Sequence, residues 1–310
     1  MKIACVFPGQ GSQVVGMCRD VVENFAVAKQ VLQEVDDALS QELSKVILEG
    51  PVEELTMTEN TQPALMACSI AVLRALEQHL GKRLPEFCSY VAGHSLGEFT
   101  ALTAAGVFSV QDCARLVKIR GRAMQESVPL GQGAMFALLG AEFDIARDIA
   151  EKASKVGICQ IANDNCTGQQ VLSGTVAAIE EAMSLASQTG NKAIRLNVSA
   201  PFHCQMMQPA QDALQQALHD IKMHTPSVPL IANITAKSVT DPALIKDLLV
   251  QQVTGMVRWR ETVLELKELG VTDLVEIGPG KVLSGMTKRI DASINSCSVQ
   301  TVADIEVFTS

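Results

Sequence analysis

The chain has 310 residues, of which 47% are hydrophobic and only 4% aromatic, so its core must be built from Ala, Val, Leu, Ile and Met. Its 25 basic and 34 acidic side chains give a net charge of −9, which argues against nucleic acid as a partner because nucleic-acid-binding proteins need a basic surface. We expect no membrane partner and no secretion, since no signal peptide is recognisable and no segment approaches the roughly 20 apolar residues of a membrane helix.

The nine cysteines are scattered, without a C-x-x-C pair. This pattern is typical of buried thiols in a reducing compartment. We therefore expect a cytoplasmic protein, or one in the matrix of an organelle.

Short apolar segments that end in glycine or polar turns predict buried parallel strands. They are Ile3–Phe7, Cys88–Ala92, Pro229–Ala232 and Leu274–Ile277. Amphipathic helices are predicted between them, one from about Gln62 to Leu80 and another that starts after Ser109, with Asp112 as its capping partner. The alternation predicts an α/β fold with a mostly parallel, doubly wound sheet.

The middle of the chain follows a second pattern, βαββαβ, which is the ferredoxin-like order. The predicted elements are Ala134–Leu139, Phe143–Ala153, Ile158–Ala162, Val171–Gly174, Val176–Ser187 and Ala193–Val198. We expect a small ferredoxin-like domain at residues 129–199, inserted into a large α/β catalytic domain formed by residues 1–128 and 200–310. Asn163 to Asn165 are expected in a loop.

The segment Gly93–Gly97 reads Gly-His-Ser-Leu-Gly and lies between a predicted strand and a helical stretch, Glu98–Ala105. A serine in this pattern and setting is typical of a nucleophile held on a sharp turn. The turn exposes the hydroxyl of Ser95 and places the backbone amide of Leu96 at a helix N-terminus, where it can stabilise developing negative charge. Ser95 is therefore the predicted nucleophile.

A serine nucleophile needs a base, and the chain has five histidines. Three lie in contexts typical of exposed helix ends: His79, His219 and His224. His94 adjoins the nucleophile, and neighbouring side chains at such a turn point apart, so elimination leaves His203. No acidic third member is evident, because nothing in the sequence ties Asp164 to His203. Orientation of the histidine by backbone carbonyls fits equally well.

The helix after Ser109 places Arg120 in the middle of its apolar face. The other basic residues, Arg115, Lys118 and Arg122, fall on the opposite face. A buried guanidinium needs an anion, either a carboxylate of the protein or one of the substrate. In the second case the acyl group carries an acid, as malonyl does. The helical pattern alone leaves both alternatives open.

Taken together, these motifs resemble the malonyl-CoA–acyl carrier protein transacylases of fatty-acid synthesis and the related acyltransferases of polyketide synthases. The matching segments, in order, are Phe7–Gln13, Thr61–Ala64, Gly93–Glu98, Arg120–Gly121, Phe202–His203 and Glu276–Lys281. The resemblance implies a hydrolase-like large domain with a ferredoxin-like insert. It also implies malonyl transfer from malonyl-CoA to the phosphopantetheine thiol of an acyl carrier protein, through a malonyl ester of the serine and without a metal or bound cofactor.

The resemblance further implies a role for individual residues. Ser95 and His203 would be catalytic, the amides of Gln10 and Leu96 would form the oxyanion hole, Arg120 would bind the malonyl carboxylate, and the backbone carbonyl of Gln252 would orient the histidine. Asn163 and Phe202 are expected at the pocket, with plain core packing an equal alternative for Phe202. Two other functions use the same nucleophile: a discrete polyketide-synthase acyltransferase and a serine hydrolase of acyl thioesters.

Overall fold

The computed structural model of the chain describes residues 2–198 and 200–309. Within these ranges there are ten strands, fifteen α-helices and a short 3₁₀ helix at Gln205–Met207. The strands are β1 Ile3–Phe7, β2 Tyr90–Gly93, β3 Gly133–Leu139, β4 Cys159–Cys166, β5 Gln169–Thr175, β6 Lys192–Arg195, β7 Leu230–Ile231, β8 Ser238–Val239, β9 Asp273–Ile277 and β10 Asn295–Val299. The helices are α1 Arg19–Asn24, α2 Ala26–Leu39, α3 Leu43–Glu49, α4 Val52–Thr56, α5 Thr58–Leu80, α6 Leu84–Phe87, α7 Leu96–Ala104, α8 Val110–Glu126, α9 Phe143–Ala153, α10 Val176–Gln188, α11 Gln208–His219, α12 Pro242–Gln252, α13 Trp259–Glu268, α14 Val282–Ile290 and α15 Val302–Val307. None of the described helices has the length and apolar character that crossing a membrane requires.

The larger sheet has six strands in the order β10-β9-β1-β2-β7-β8, and every pair except β7–β8 is parallel. Strand β1 is buried on both faces because alternate side chains enter different clusters. Ile3, Cys5 and Phe7 belong to the main core, whereas Ala4 and Val6 pack with α13 and α14 on the other face. The expected α/β fold with a mostly parallel sheet is confirmed.

Two strands of this sheet were not predicted from the sequence. Strand β8 has only two residues, and β10 lies at the outer edge beside β9. The residues of β10 read Asn-Ser-Cys-Ser-Val, and all but the last are exposed or partly exposed. An edge strand of this kind lacks the apolar run by which buried strands are recognised.

The second sheet is antiparallel, with the order β4-β5-β3-β6. Helices α9 and α10 cover one face, against which Ala134, Phe136 and Leu138 pack. Met135 points to the opposite face and joins the main core. The expected ferredoxin-like insert is confirmed, and its second face is turned toward the larger sheet.

Two strands of the insert have bounds that differ from those expected. Asn163–Asn165 lie on β4 and not in a loop, because two register shifts in its pairing with β5 let the strand continue to Cys166. Strand β6 ends at Arg195 and not at Val198. The division of the chain at residues 129 and 199 stays a prediction, and the limits at 1, 199 and 310 fall outside the described residues.

The two helices predicted in the first half are present. The serine before α8, Ser109, accepts a hydrogen bond from the amide of Asp112 at 3.0 Å, as expected for a helix cap. Helix α5 begins at Thr58, four residues before the expected start at Gln62. Pro63 lies inside it as the sixth residue, where it lacks the amide that would pair with the carbonyl of Glu59.

Candidate active site

Ser95 lies on a sharp turn between β2, which ends at Gly93, and α7, which begins at Leu96. Its backbone has φ 52° and ψ −106°, a conformation that costs about 1–3 kcal/mol for a residue other than glycine. The side chain of Asn233, beyond the end of β7, clamps this turn from the neighbouring strand. Its Oδ1 accepts from the amide of Ser95 at 2.8 Å, and its Nδ2 donates to the carbonyl of Gly93 at 2.7 Å.

The glycines that flank the serine are required by close backbone packing. A methyl group on Gly97 would overlap the carbonyl of Phe7 at the end of β1, and one on Gly93 would overlap the carbonyl of Gly97. The turn therefore packs directly on the central strand. This contact explains the spacing of the motif around Ser95.

His203 lies within hydrogen-bonding distance of the nucleophile, with 2.7 Å between its Nε2 and Oγ of Ser95. Its Nδ1 lies 2.9 Å from the carbonyl oxygen of Gln252 and 3.1 Å from that of Gly255. Because carbonyls only accept hydrogen bonds, Nδ1 must carry the ring proton, which leaves Nε2 to accept from the serine hydroxyl. The sequence expectation of a pair oriented by backbone carbonyls agrees with this geometry.

Asp164, the one acid considered as a third member, lies elsewhere. Its carboxylate is buried and pairs with Arg260 at 2.8 Å. This ion pair joins β4 to α13. It leaves His203 without an acidic partner among the described residues.

The pKa of His203 is lowered to about 3 by burial, and the positive charge of Arg120 acts in the same direction. The hydrogen bonds to Gln252 and Gly255 offset only part of this shift. The imidazole is therefore neutral at physiological pH. A neutral imidazole has the free lone pair that accepting a proton from Ser95 requires.

Arg120 is 1% exposed and reaches the nucleophile. One terminal nitrogen donates to Oε1 of Gln62 at 2.7 Å. The other donates to Oε1 of Gln252 at 2.8 Å and to Oγ of Ser95 at 3.1 Å. Its Nε is buried without a partner, so two of its five N–H groups remain uncommitted.

No Asp or Glu among residues 2–198 and 200–309 forms an ion pair with this guanidinium. Burial lowers the pKa of Arg120 to about 10, and the charge of Glu98 opposes that shift. Arg120 therefore stays protonated at neutral pH. The sequence left two alternatives for the anion that pairs with Arg120, a carboxylate of the protein or one of the substrate. A protein carboxylate in direct contact with Arg120 is absent from the described residues.

Ser95, His203 and Arg120 open into one cavity of about 350 Å³. Gln10 and Leu96 line it, as do Asn163 and Phe202, the two residues expected at the pocket. The second sheet contributes Met135 as well as Asn163, so the cavity lies where the two sheets meet. Phe202 also packs in the main core, so its position is compatible both with a role in the pocket and with plain core packing.

The backbone amides of Gln10 and Leu96 have no acceptor among the described residues. Leu96 is the first residue of α7, where amides lack intrahelical partners and the helix dipole favours negative charge. Both residues border the same cavity as Oγ of Ser95. Their role as an oxyanion hole stays a prediction that this placement supports.

The imidazole of His94 contacts Asn165 and not the hydroxyl of Ser95, with 2.9 Å between its Nε2 and Oδ1 of Asn165. The remaining histidines, at 79, 219 and 224, are exposed and remote from this cavity. No group of three or more His, Cys, Asp or Glu in the described part of the chain is arranged to hold a metal ion.

Sequence reasoning missed the polar residues that support these groups. Asn233 follows an apolar strand, and Glu98 is the one acid in the otherwise apolar start of α7. Gln62 was seen only as part of a family motif. For Asn233 and Glu98 the signal is a single polar residue in an apolar setting.

The family model for the acyl transferase domain matches residues 4–306. The malonyl CoA-acyl carrier protein transacylase of Bacillus subtilis (strain 168) is 43% identical, over 99% of this chain and 96% of that protein. The chain belongs to the malonyl-CoA–acyl carrier protein transacylase family of acyltransferases.

Solved structures of this family superpose over almost the whole chain. The acyl-carrier-protein S-malonyltransferase of Bartonella henselae has a TM-score of 0.97 and 51% identity, covering 99% of this chain and 98% of that one. A malonyl-transacylase solved in complex with its type II polyketide acyl-carrier protein has a TM-score of 0.94 and 40% identity, covering 98% of each chain.

The packing of the turn against β1 can be tested with Gly97→Ala. The added methyl group has no room beside the carbonyl of Phe7, so we expect the free energy of unfolding to fall by about 2 kcal/mol or more. Urea unfolding measures this change. The matched control is Gly285→Ala, at an exposed position of α14 with open space, which should stabilise the protein by about 0.5–1 kcal/mol. Equal effects of the two substitutions would contradict the close packing.

Proposed function

We propose that this chain transfers the malonyl group of malonyl-CoA to the phosphopantetheine thiol of an acyl carrier protein, through a malonyl ester of Ser95, and so supplies fatty-acid chain elongation. The relatives named above are, by name, a malonyl CoA-acyl carrier protein transacylase and an acyl-carrier-protein S-malonyltransferase. One observation supports the assignment most directly. Oγ of Ser95 lies between a neutral imidazole and a buried guanidinium that has no ion-pair partner among the described residues.

In the first half-reaction, Oγ of Ser95 attacks the thioester carbonyl while its proton moves to Nε2 of His203. The amides of Gln10 and Leu96 stabilise the negative charge that develops on the carbonyl oxygen. The C–S bond then breaks, and coenzyme A leaves as a thiol that takes the proton back from His203. The product is a malonyl ester on the serine.

In the second half-reaction, His203 removes the proton from the carrier thiol, whose sulfur attacks the ester. The C–O bond breaks and the serine oxygen recovers the proton. Water would compete for the same ester, so attack by the carrier thiol has to outrun hydrolysis in the cavity between the sheets.

Arg120 binds the carboxylate of the malonyl group in this proposal. Once Ser95 is acylated, its oxygen is an ester oxygen, and the guanidinium N–H that faced it can turn to the substrate. A neutral acyl group would leave the cation unpaired in a buried site, which disfavours that substrate. The bound carboxylate also offsets the charge that lowers the pKa of His203, and this makes the imidazole a better base.

We further propose that the reaction uses no metal and no bound cofactor, since the proton transfers need only the serine and the imidazole.

We also propose that the protein is cytoplasmic. All nine cysteines are free thiols and eight of them are buried, a pattern that suits a reducing compartment.

Ser95→Ala tests the covalent intermediate. We expect no malonyl adduct after mixing with malonyl-CoA, because the attacking oxygen is gone, and intact-protein mass spectrometry measures this directly. Ser187→Ala, at an exposed position of α10, is the control and should label like the wild type. An adduct at full yield on the Ser95 variant would remove this serine from the mechanism.

Arg120→Ala tests the recognition of the acid. We expect kcat/KM for malonyl-CoA to fall by about 100-fold or more, as for a lost charge-assisted pair, while acetyl transfer is spared or improved. Arg122→Ala is the matched control, because Arg122 lies exposed on the same helix and pairs only with Glu126. Equal losses for both acyl groups would mean that Arg120 has a structural role alone.

Release of free coenzyme A, measured with and without carrier protein, separates the transferase from a thioester hydrolase. We expect a single burst from malonyl-CoA alone and steady turnover only when a carrier is added. Steady turnover in buffer would favour the hydrolase.

The same assay compares a fatty-acid carrier with a polyketide carrier, because one similar structure is a complex with a polyketide carrier. Faster transfer to the polyketide carrier would favour the polyketide pathway.

A further inference from the structure

Glu98 is a buried carboxylate close to the nucleophile that the proposed mechanism does not use. It is the third residue of α7, and its side chain points back beneath the turn of Ser95. Its Oε1 accepts from the amide of Asn233 at 3.2 Å, and its Oε2 accepts from Nε2 of Gln252 at 2.6 Å. Both oxygens therefore face donors.

The carboxamide of Gln252 connects this carboxylate to Arg120. Its Nε2 donates to Glu98 and to the carbonyl oxygen of Ser95, the latter at 2.9 Å. Because both partners are acceptors, only the NH₂ group fits on that side, and Oε1 must face the other way. There it accepts from Arg120 at 2.8 Å. Glu98 and the carbonyl of Ser95 together set the orientation of the amide, and Glu98 makes the shorter contact.

Glu98 and Arg120 are linked by their charges as well as by these hydrogen bonds. Glu98 and Arg120 form no direct ion pair, yet each favours the charged form of the other. Burial raises the pKa of Glu98 to about 7, while its hydrogen bonds from Gln252 and Asn233 and the charge of Arg120 act in the opposite direction. The buried cation therefore has a counter-charge one carboxamide away.

We propose that Glu98 is a positioning residue for acyl-group selection: through the carboxamide of Gln252 it holds the guanidinium of Arg120 beside Ser95 and supports its charge without occupying it. This inference rests on the proposed function, in which Arg120 binds the carboxylate of the substrate. A direct Glu98–Arg120 ion pair would fill the N–H groups that the substrate needs. An inserted neutral amide keeps the arginine in place and leaves them free.

Glu98→Gln tests the proposal, because it removes the charge while the volume of the side chain stays nearly constant. A glutamine can offer one oxygen, either to the amide of Asn233 or to Gln252, and its NH₂ group must then face a donor. The Gln252 amide then loses one of the two acceptors that hold its NH₂ group, and the placement of Arg120 beside Ser95 is weakened. We expect the ratio of kcat/KM for malonyl-CoA to that for acetyl-CoA to fall about tenfold, mainly through KM for malonyl-CoA, with the acetyl reaction little changed.

Two controls separate this role from general damage near the nucleophile. Asn233→Ala breaks the clamp on the turn of Ser95 but leaves the backbone amide that contacts Glu98, so it should slow both acyl donors equally and keep their ratio. Labelling of Ser95 with a fluorophosphonate, which carries no carboxylate, should be as fast in Glu98→Gln as in the wild type. It should be slower in Asn233→Ala.

The wild type offers a second measurement that requires no variant to fold. Between about pH 8.5 and pH 6, Glu98 gains a proton, and protonated Glu98 no longer accepts at both oxygens. The charged group that acts on Glu98 is Arg120. Burial lowers the pKa of His203 to about 3, and the pKa of Arg120 is about 10, so neither group titrates in this range. Burial also lowers the pKa of His94, whose ring contacts Asn165 and not Glu98. The malonyl-to-acetyl ratio of coenzyme A release in the first half-reaction should fall as pH drops in the wild type and stay flat in Glu98→Gln.

The outcomes distinguish this inference from the proposed function. A wild type that forms no malonyl adduct, or shows no preference for malonyl over acetyl, would refute the proposed function itself. A wild type with that preference, together with a Glu98→Gln variant that keeps the ratio unchanged or loses both activities equally, would overturn only the role of Glu98. If the variant does not fold, a pH-independent ratio in the wild type overturns the proposal by itself.

Discussion

The organisation of this site depends on one buried cation without an ion-pair partner among the described residues. Arg120 sits on the apolar face of α8, where a guanidinium is unfavourable unless its charge is compensated. Two glutamine oxygens and the serine hydroxyl take three of its hydrogen bonds. None of these acceptors carries a charge, so the cation remains available to an anion from outside. Glu98 supplies long-range stabilisation without taking the place of that anion.

The same cation organises the nucleophile. Because Arg120 donates to Oγ of Ser95, that oxygen acts as an acceptor on one side and keeps its proton for Nε2 of His203 on the other. The strained turn of Ser95 fixes where this oxygen lies. The hydrogen bonds of Asn233 and close packing on β1 hold this turn in place. Parallel strands of the larger sheet thus place the serine, while the ferredoxin-like insert closes the cavity above it.

The residues that could be predicted from the sequence are those with a local signature. The nucleophile lies in a short pattern, Arg120 breaks an apolar helix face, and His203 follows by elimination among five histidines. The supporting residues have no such signature, because their partners are distant in sequence: Asn233 and Ser95 are 138 residues apart, and Gln252 and Glu98 are 154. A lone polar residue near an apolar segment has many explanations until the fold brings its partner beside it. The polar edge strand β10 was missed for the related reason that its pattern matches that of a loop.

Orientation of the base by carbonyls follows from the presence of Arg120. A carboxylate at Nδ1 of His203 would raise the basicity of the imidazole. It would also place a negative charge close to the guanidinium, which in the proposed function stays free for the carboxylate of the substrate. The carbonyls of Gln252 and Gly255 fix the same tautomer without adding a charge. Gln252 joins both tasks, since its backbone holds the imidazole and its side chain holds the arginine. A shift of this one residue would therefore disturb the imidazole and the guanidinium together. The loop from Val253 to Val257, which follows Gln252, has to be as well fixed as the turn that carries the serine. Its backbone bonds to β4, between Val257 and residues 162 and 164, provide that anchor and make the insert a support of the catalytic pair.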